Sequence, residues 1–205
     1  FWVLMIVSKE NNIEEISGEI SNLTNLQYIV LGNNRLTSLP EEIGNLKHLI
    51  SLDVEGNFIT ALPENIGGLS SLQNLLIGSN RLSAFPENFS KLKSLTSLSA
   101  WGNSIAVLSN GFCNLSNIQN LDLSQNNLTL LPDSFGNLQN MIICDIHSNM
   151  LLELPNTFSS FTSLSYLDIS DNSIPKLPDD FGKMKMLQIL DLSENQLTEL
   201  PKTFG

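Results

Sequence analysis

The sequence predicts an α/β solenoid: one elongated, right-handed body with a parallel β-sheet along one face and short turns or 3-10 segments along the other. Three observations predict it. Apolar residues recur at a fixed 23-residue offset through the 205 residues, so that Leu121 falls on Leu98 and Leu75, and Phe135 on Phe112 and Phe158. Asparagines keep the same offset, from Asn11 to Asn195. No linker interrupts the period, and such a period marks stacked units that bury their apolar faces only against their neighbours.

Counted from the first apolar residue, units start at Leu23, Leu46, Leu69, Leu92, Leu115, Leu138, Phe161 and Met184, and residues 1–22 fit the same frame one position short. Nine units in a single domain over 1–205 are therefore expected. Apolar residues occupy positions 1, 4, 7, 9, 14, 17 and 21 of a unit. The alternation at 7 and 9, as in Leu121 and Leu123, has the two-residue period of a strand, and the wider spacing after it does not. One short strand per unit, always entered from the same side, makes the sheet parallel. Position 12 is asparagine in every unit. An inward amide where the strand turns satisfies backbone groups that burial would leave unpaired, so these residues are read as a structural ladder.

Seven units then carry Leu-Pro or Phe-Pro, from Leu39-Pro40 to Leu200-Pro201. Proline fixes φ and lacks a donor, so the return segment is expected to be extended, with any helix brief. Position 21 runs Ile20, Ile43, Ile66 and then Phe89, Phe112, Phe135, Phe158, Phe181 and Phe204. The six rings in one register are expected to stack as a spine on the convex side. In the fifth unit Ser109-Asn110 replaces the proline step and Cys113 the glycine, so its convex loop is expected to differ from its neighbours.

Units such as LTNLQYIVLGNNRLTSLPEEIGN and MKMLQILDLSENQLTELPKTFG resemble leucine-rich repeats of the 23-residue LPxxFG or LPxxIG class, over essentially the whole chain. The resemblance implies a horseshoe or arc whose concave sheet binds a protein or peptide. It is similar to the Ras-group and other intracellular leucine-rich-repeat proteins, so a Ras-like GTPase or a phosphatase is a partner implied by resemblance alone. The same repeats occur fused to signalling enzymes. Neither end shows a recognisable capping sequence, which solenoids need, and the chain is expected to be a repeat region excised from a longer protein.

Composition narrows the function classes. Ten Lys and Arg against 21 Asp and Glu give a net charge of −11, which argues against a phosphate-tracking nucleic-acid surface and favours basic or mixed partners. The longest apolar run, FWVLMIV, is too short to cross a bilayer and lacks the flanks of a secretion signal. Cys113 and Cys144 fall at different repeat positions two repeats apart, which argues against a disulfide and for a reducing, cytoplasmic compartment. An extracellular alternative rests on sequons at Asn22, Asn88, Asn114 and Asn127. No phosphate-binding glycine loop or spaced Cys/His cluster appears, so neither cofactor nor metal is expected.

Positions 6, 8 and 10 point away from the core on the inner face and are free to specify a partner. In the N-terminal half Tyr28, Val30, Leu76 and Trp101, with Phe58 at the rim, are unusually apolar for a wet face, and Arg35 and Arg81 sit beside them. Exposed aromatic and arginine residues are enriched at binding hot spots. The competing reading is that Trp101 covers the space left by Gly78. In the C-terminal half Asp122, Asp145, Asp168 and Asp191 form a like-charged row, either family consensus or a site for a basic segment. Asp53, Tyr166 and His147 complete the candidate partner-binding set. Ser124, His147 and Asp145 nominally supply a catalytic triad, but an open sheet offers neither a pocket nor an oxyanion hole. A non-enzymatic recognition module is therefore expected. The alternatives are a regulatory repeat domain of a larger signalling enzyme and an extracellular adhesion or receptor ectodomain.

Overall fold

The computed structural model describes residues 4–204; Phe1, Trp2 and Val3 of the first unit and Gly205 of the last lie outside the described residues. Among the described residues nine three-residue strands, β1 (Met5–Val7), β2 (Tyr28–Val30), β3 (Ser51–Asp53), β4 (Asn74–Leu76), β5 (Ser97–Ser99), β6 (Asn120–Asp122), β7 (Ile143–Asp145), β8 (Tyr166–Asp168) and β9 (Ile189–Asp191), form one parallel sheet in chain order. Each strand pairs with the next at the 23-residue offset, as in Met5↔Tyr28 and Tyr166↔Ile189. The central residue of each strand points into the core: Ile29, Leu52, Leu75, Leu98, Leu121, Cys144 and Leu167 are buried.

The strands are short because the backbone leaves the sheet at a fixed point. Position 11 adopts the left-handed conformation in every unit, at Glu10, Asn33, Gly56, Ser79, Gly102, Gln125, Ser148, Asp171 and Glu194, with φ between 49° and 67°. Only two of these are glycine, although a side chain there costs about 1–2 kcal/mol. The asparagine that follows holds the bend. Asn103 Oδ1 accepts from the Leu82 amide at 2.9 Å, and its Nδ2 donates to the carbonyls of Ile77, Ala100 and Trp101. The same set recurs at Asn57, Asn80 and Asn126, each bridging to the preceding unit. The asparagines are thus a ladder that satisfies buried backbone groups, as position 12 implied.

The return segments are extended and end in brief 3-10 turns, such as Glu41–Asn45, Glu64–Gly68 and Glu87–Lys91. Glycine at position 22 lets consecutive turns touch: a Cβ on Gly44, Gly67, Gly136 or Gly182 would overlap the backbone carbonyl of Asn65, Asn88, Thr157 or Thr203 in the next unit. Phenylalanine rings stack at 6.2 Å between Phe89 and Phe112 and at 5.8–6.1 Å along Phe135, Phe158, Phe181 and Phe204. Strands repeat every 4.8 Å or so. The ring side is therefore longer per unit than the strand side, and the body curves with its sheet on the inside.

One expectation is corrected. The fifth turn, Asn110–Asn114, has the same length as its predecessors, because Ser109 takes φ −70° and ψ 156°, close to Pro86 at −66° and 159°. The turn shortens instead in the sixth and eighth units, to Phe135–Asn137 and Phe181–Lys183, and among the described residues no ring pair joins Phe112 to Phe135.

Candidate functional site

The inner sheet face collects every sequence-selected side chain except Phe58, which lies on the rim beyond β3. Tyr28 and Val30 of β2, Leu76 of β4 and Trp101 after β5 are all half-buried on this face. A Cβ at Gly78 would collide with the Trp101 indole, so the ring does lie over that glycine while part of it faces solvent. Phe58 is 41% exposed and carries the Arg81 guanidinium 4.5 Å above its ring centre, a cation–π contact that holds both at the edge. Pairing of β1 with β2 adds Met5 and Val7, exposed by 52% and 60%, beside Tyr28 and Val30. Neither was among the residues selected from the sequence.

Asp53 does not stand open beside them. Its carboxylate is buried, with Oδ2 2.7 Å from Lys9 Nζ and Oδ1 accepting from the Glu55 amide at 3.2 Å. A partner would meet the half-exposed ammonium of Lys9 there. On the convex turns Lys47 Nζ donates to the carbonyls of Gly44 and Gly68, and Lys93 Nζ to that of Asn114.

In the C-terminal half the pairings Asp122↔Asp145, Asp145↔Asp168 and Asp168↔Asp191 set four carboxylates on consecutive strands. Each is oriented by the residue two places on. Oδ1 accepts from the backbone amides of Ser124 at 3.0 Å, His147 at 3.1 Å, Ser170 at 2.9 Å and Ser193 at 2.9 Å. The Ser124 and Ser170 hydroxyls donate to the same oxygens at 2.7 and 2.6 Å, and His147 Nδ1 lies 2.6 Å from Asp145 Oδ1. Both serine hydroxyls are thus taken by carboxylates, and neither bonds the imidazole. Burial works against the His147 cation, but Asp145 in contact, with Asp168 and Asp122 nearby, holds its pKa above the usual histidine value. Asp145, His147 and Asp168 bring ligand-type atoms within 4.8 Å of one another, so these are the groups that could approach a metal ion.

Beside the acids runs a second row, in which Tyr166, selected from the sequence, is joined by two isoleucines that were not. Ile143, Tyr166 and Ile189 pair side by side at position 6, with Ile143 42% and Ile189 57% exposed. The signal was present in the same register as Tyr28.

An uninterrupted parallel sheet backed by 3-10 turns, with its variable residues gathered on one open face, defines a repeat solenoid of the recognition type. A leucine-rich repeat region model matches residues 2–107, and a leucine rich repeat model matches 116–174 and 140–197. The chain belongs to the leucine-rich-repeat family. Among solved structures, a leucine-rich-repeat protein of Leptospira interrogans is 32% identical with a TM-score of 0.93, over 97% of this chain and 51% of its own. A TDR receptor is 27% identical with a TM-score of 0.86, over 97% and 35%. The plant peptide hormone receptor RGFR1, in complex with RGF2, is 25% identical with a TM-score of 0.64, over 98% and 41%. The chain thus spans about half or less of the length of these structures. The curated proteins contain no match. No helix among the described residues is long and apolar enough to cross a membrane.

Proposed function

We propose that this chain is a non-enzymatic recognition module that captures a protein or peptide on its concave sheet face. The observation that carries this reading is the apolar surface formed by Met5, Val7, Tyr28, Val30, Leu76 and Trp101 on a face that nothing else in the fold requires to be apolar. Aromatic anchors flanked by arginine supply affinity at such surfaces, and the acidic row steers basic segments toward them. The resemblance to a plant receptor solved with its peptide hormone supports a ligand of this kind. The free thiols of Cys113 and Cys144 support a reducing compartment.

Replacing Leu76→Asp together with Trp101→Asp tests the reading. Both side chains are half-exposed, so the variant is expected to keep the wild-type circular dichroism and to lose partner capture from extracts of the source cell. Undiminished capture by the folded variant would remove the N-terminal anchor site.

A second reading, a targeting or regulatory segment within a larger protein, is favoured by one observation. The chain covers only 51%, 35% and 41% of the solved chains it resembles. Appending the flanking coding sequence and assaying the whole protein for an activity modulated by the concave face separates the two.

A further inference from the structure

The N-terminal half contains an internal example of how the aspartate position is used. Lys9, on the unit of β1, passes its side chain over Gly32, whose hypothetical Cβ would sit 3.5 Å from Lys9 Cε, and sets its ammonium 2.7 Å from Asp53 Oδ2. Asp53 is held by the same Oδ1 bond to the amide two residues on that orients Asp122, Asp145, Asp168 and Asp191. In those four the Oδ1 atom is committed in the same way. Among the described residues their Oδ2 atoms accept only a long 3.4 Å contact from the Tyr166 hydroxyl to Asp168. Among the described residues no lysine or arginine pairs with any of them. The row of exposed Ile143 and Ile189 with half-buried Tyr166 between them runs alongside, apolar enough to cover the methylene stems of long basic side chains.

We infer that the C-terminal half of the concave face is a docking strip for a segment in polyproline-II conformation bearing lysines at every third residue, with two ammonium groups at a time seated on the Oδ2 atoms of Asp122 and Asp168, or of Asp145 and Asp191, as Lys9 is on Asp53. This rests on the recognition reading above and specifies the partner's chemistry. The spacing follows from geometry. Carboxylates two strands apart, Asp122 with Asp168 or Asp145 with Asp191, are separated by about 9.6 Å, and one three-residue turn of polyproline II advances about 9.3 Å and returns its side chain to the same side. Fixed oxygens at that pitch select the position of positive charge as well as its amount. A row of like charges on adjacent strands is destabilising until cations neutralise it, which is the thermodynamic drive for docking.

The test uses a fluorescein-labelled dodecapeptide with lysine at every third residue and serine elsewhere, titrated with the whole chain and read by anisotropy at physiological salt. Two variants carry the same change in net charge: D122N/D145N/D168N/D191N on the strip, and E14Q/E15Q/E153Q/E199Q on exposed flanks. Asparagine keeps the Oδ1 acceptor, so the strip variant is expected to fold; if it does not, D145N/D191N replaces it. Affinity is expected to fall at least tenfold in the strip variant and less than twofold in the flank variant. Lysine acetylation of the peptide should abolish binding, and moving the four lysines into one block should weaken it severalfold. Equal losses in both variants, equal binding of the block peptide, or no binding by the wild-type chain would each overturn the inference. If the strip variant still captures a cellular partner that L76D/W101D loses, the strip assignment fails and the recognition reading stands. Capture indifferent to both variants would instead count against the reading itself.

Discussion

One amide at Asn103 contacts four backbone groups from two units, and Asn103 is 9% exposed. Asn103→Leu fills the same volume but leaves the Leu82 amide and the Ile77 and Ala100 carbonyls buried without partners. The expected cost is about 2–5 kcal/mol, measurable by urea unfolding, since each stranded group forfeits its desolvation penalty. This role was legible from the sequence because the same residue type returned at every unit. The left-handed residue just before it was not. Glu10, Asn33, Ser79, Gln125, Ser148, Asp171 and Glu194 share a conformation without sharing a side chain, and only Gly56 and Gly102 betray it. His147 adds a pH dependence. Its pKa is raised in the folded chain, chiefly through Asp145, so folding stability from this group is fully present below about pH 6.5 and is lost as pH rises through the higher folded value. The difference in unfolding free energy between wild type and His147→Asn, read by urea titration, is expected to shrink between pH 6 and 8, by less than about 1 kcal/mol for so open a pair.

At the scale of the element, the convex turns obey a contact rule rather than a helix propensity. Gly136 lets its turn lie against the Thr157 carbonyl, whereas a Cβ at Gly111 would meet nothing closer than 3.5 Å. Gly136→Ala is therefore expected to cost about 1–3 kcal/mol by overpacking, and Gly111→Ala to be neutral or stabilising by up to about 1 kcal/mol. Thermal unfolding of the two variants distinguishes them. The phenylalanine spine was legible from its register, but its interruption between Phe112 and Phe135 was not. Sequence placed the irregularity in the fifth unit, one of two that lack the proline, whereas backbone geometry let Ser109 substitute for it. On the strand side, the apolar row of Ile143, Tyr166 and Ile189 was spelled out in the sequence yet hidden by the more conspicuous acids beside it.

For the whole molecule, each unit touches only its neighbours, so the stability of the solenoid is close to a sum over units and their interfaces. Deleting residues 46–68 joins Asn45 to Leu69 in register and places Gly44 against the turn that Gly67 meets now. That variant is expected to remain a cooperatively unfolding sheet protein of lower stability. Deleting 46–67, one residue fewer, leaves Gly68 as an extra residue in the turn between Asn45 and Leu69, while the units after it keep their 23-residue offset. It is expected to be less stable than the in-register deletion because its turns no longer meet at Gly44, as read by circular dichroism in urea.

By itself the sequence determined the architecture: unit length, parallel sheet, asparagine ladder and the face that varies, because each rests on a periodic pattern that one-dimensional text preserves. Tertiary structure decided which of the varying residues are available. It covered Asp53 with Lys9, laid Trp101 over Gly78, stacked Arg81 on Phe58 and committed one oxygen of each C-terminal aspartate while leaving the other open. Availability depends on side chains one or two strands away, about 5–10 Å in space but 23 or more residues apart in the chain, and no local pattern records what a neighbour covers.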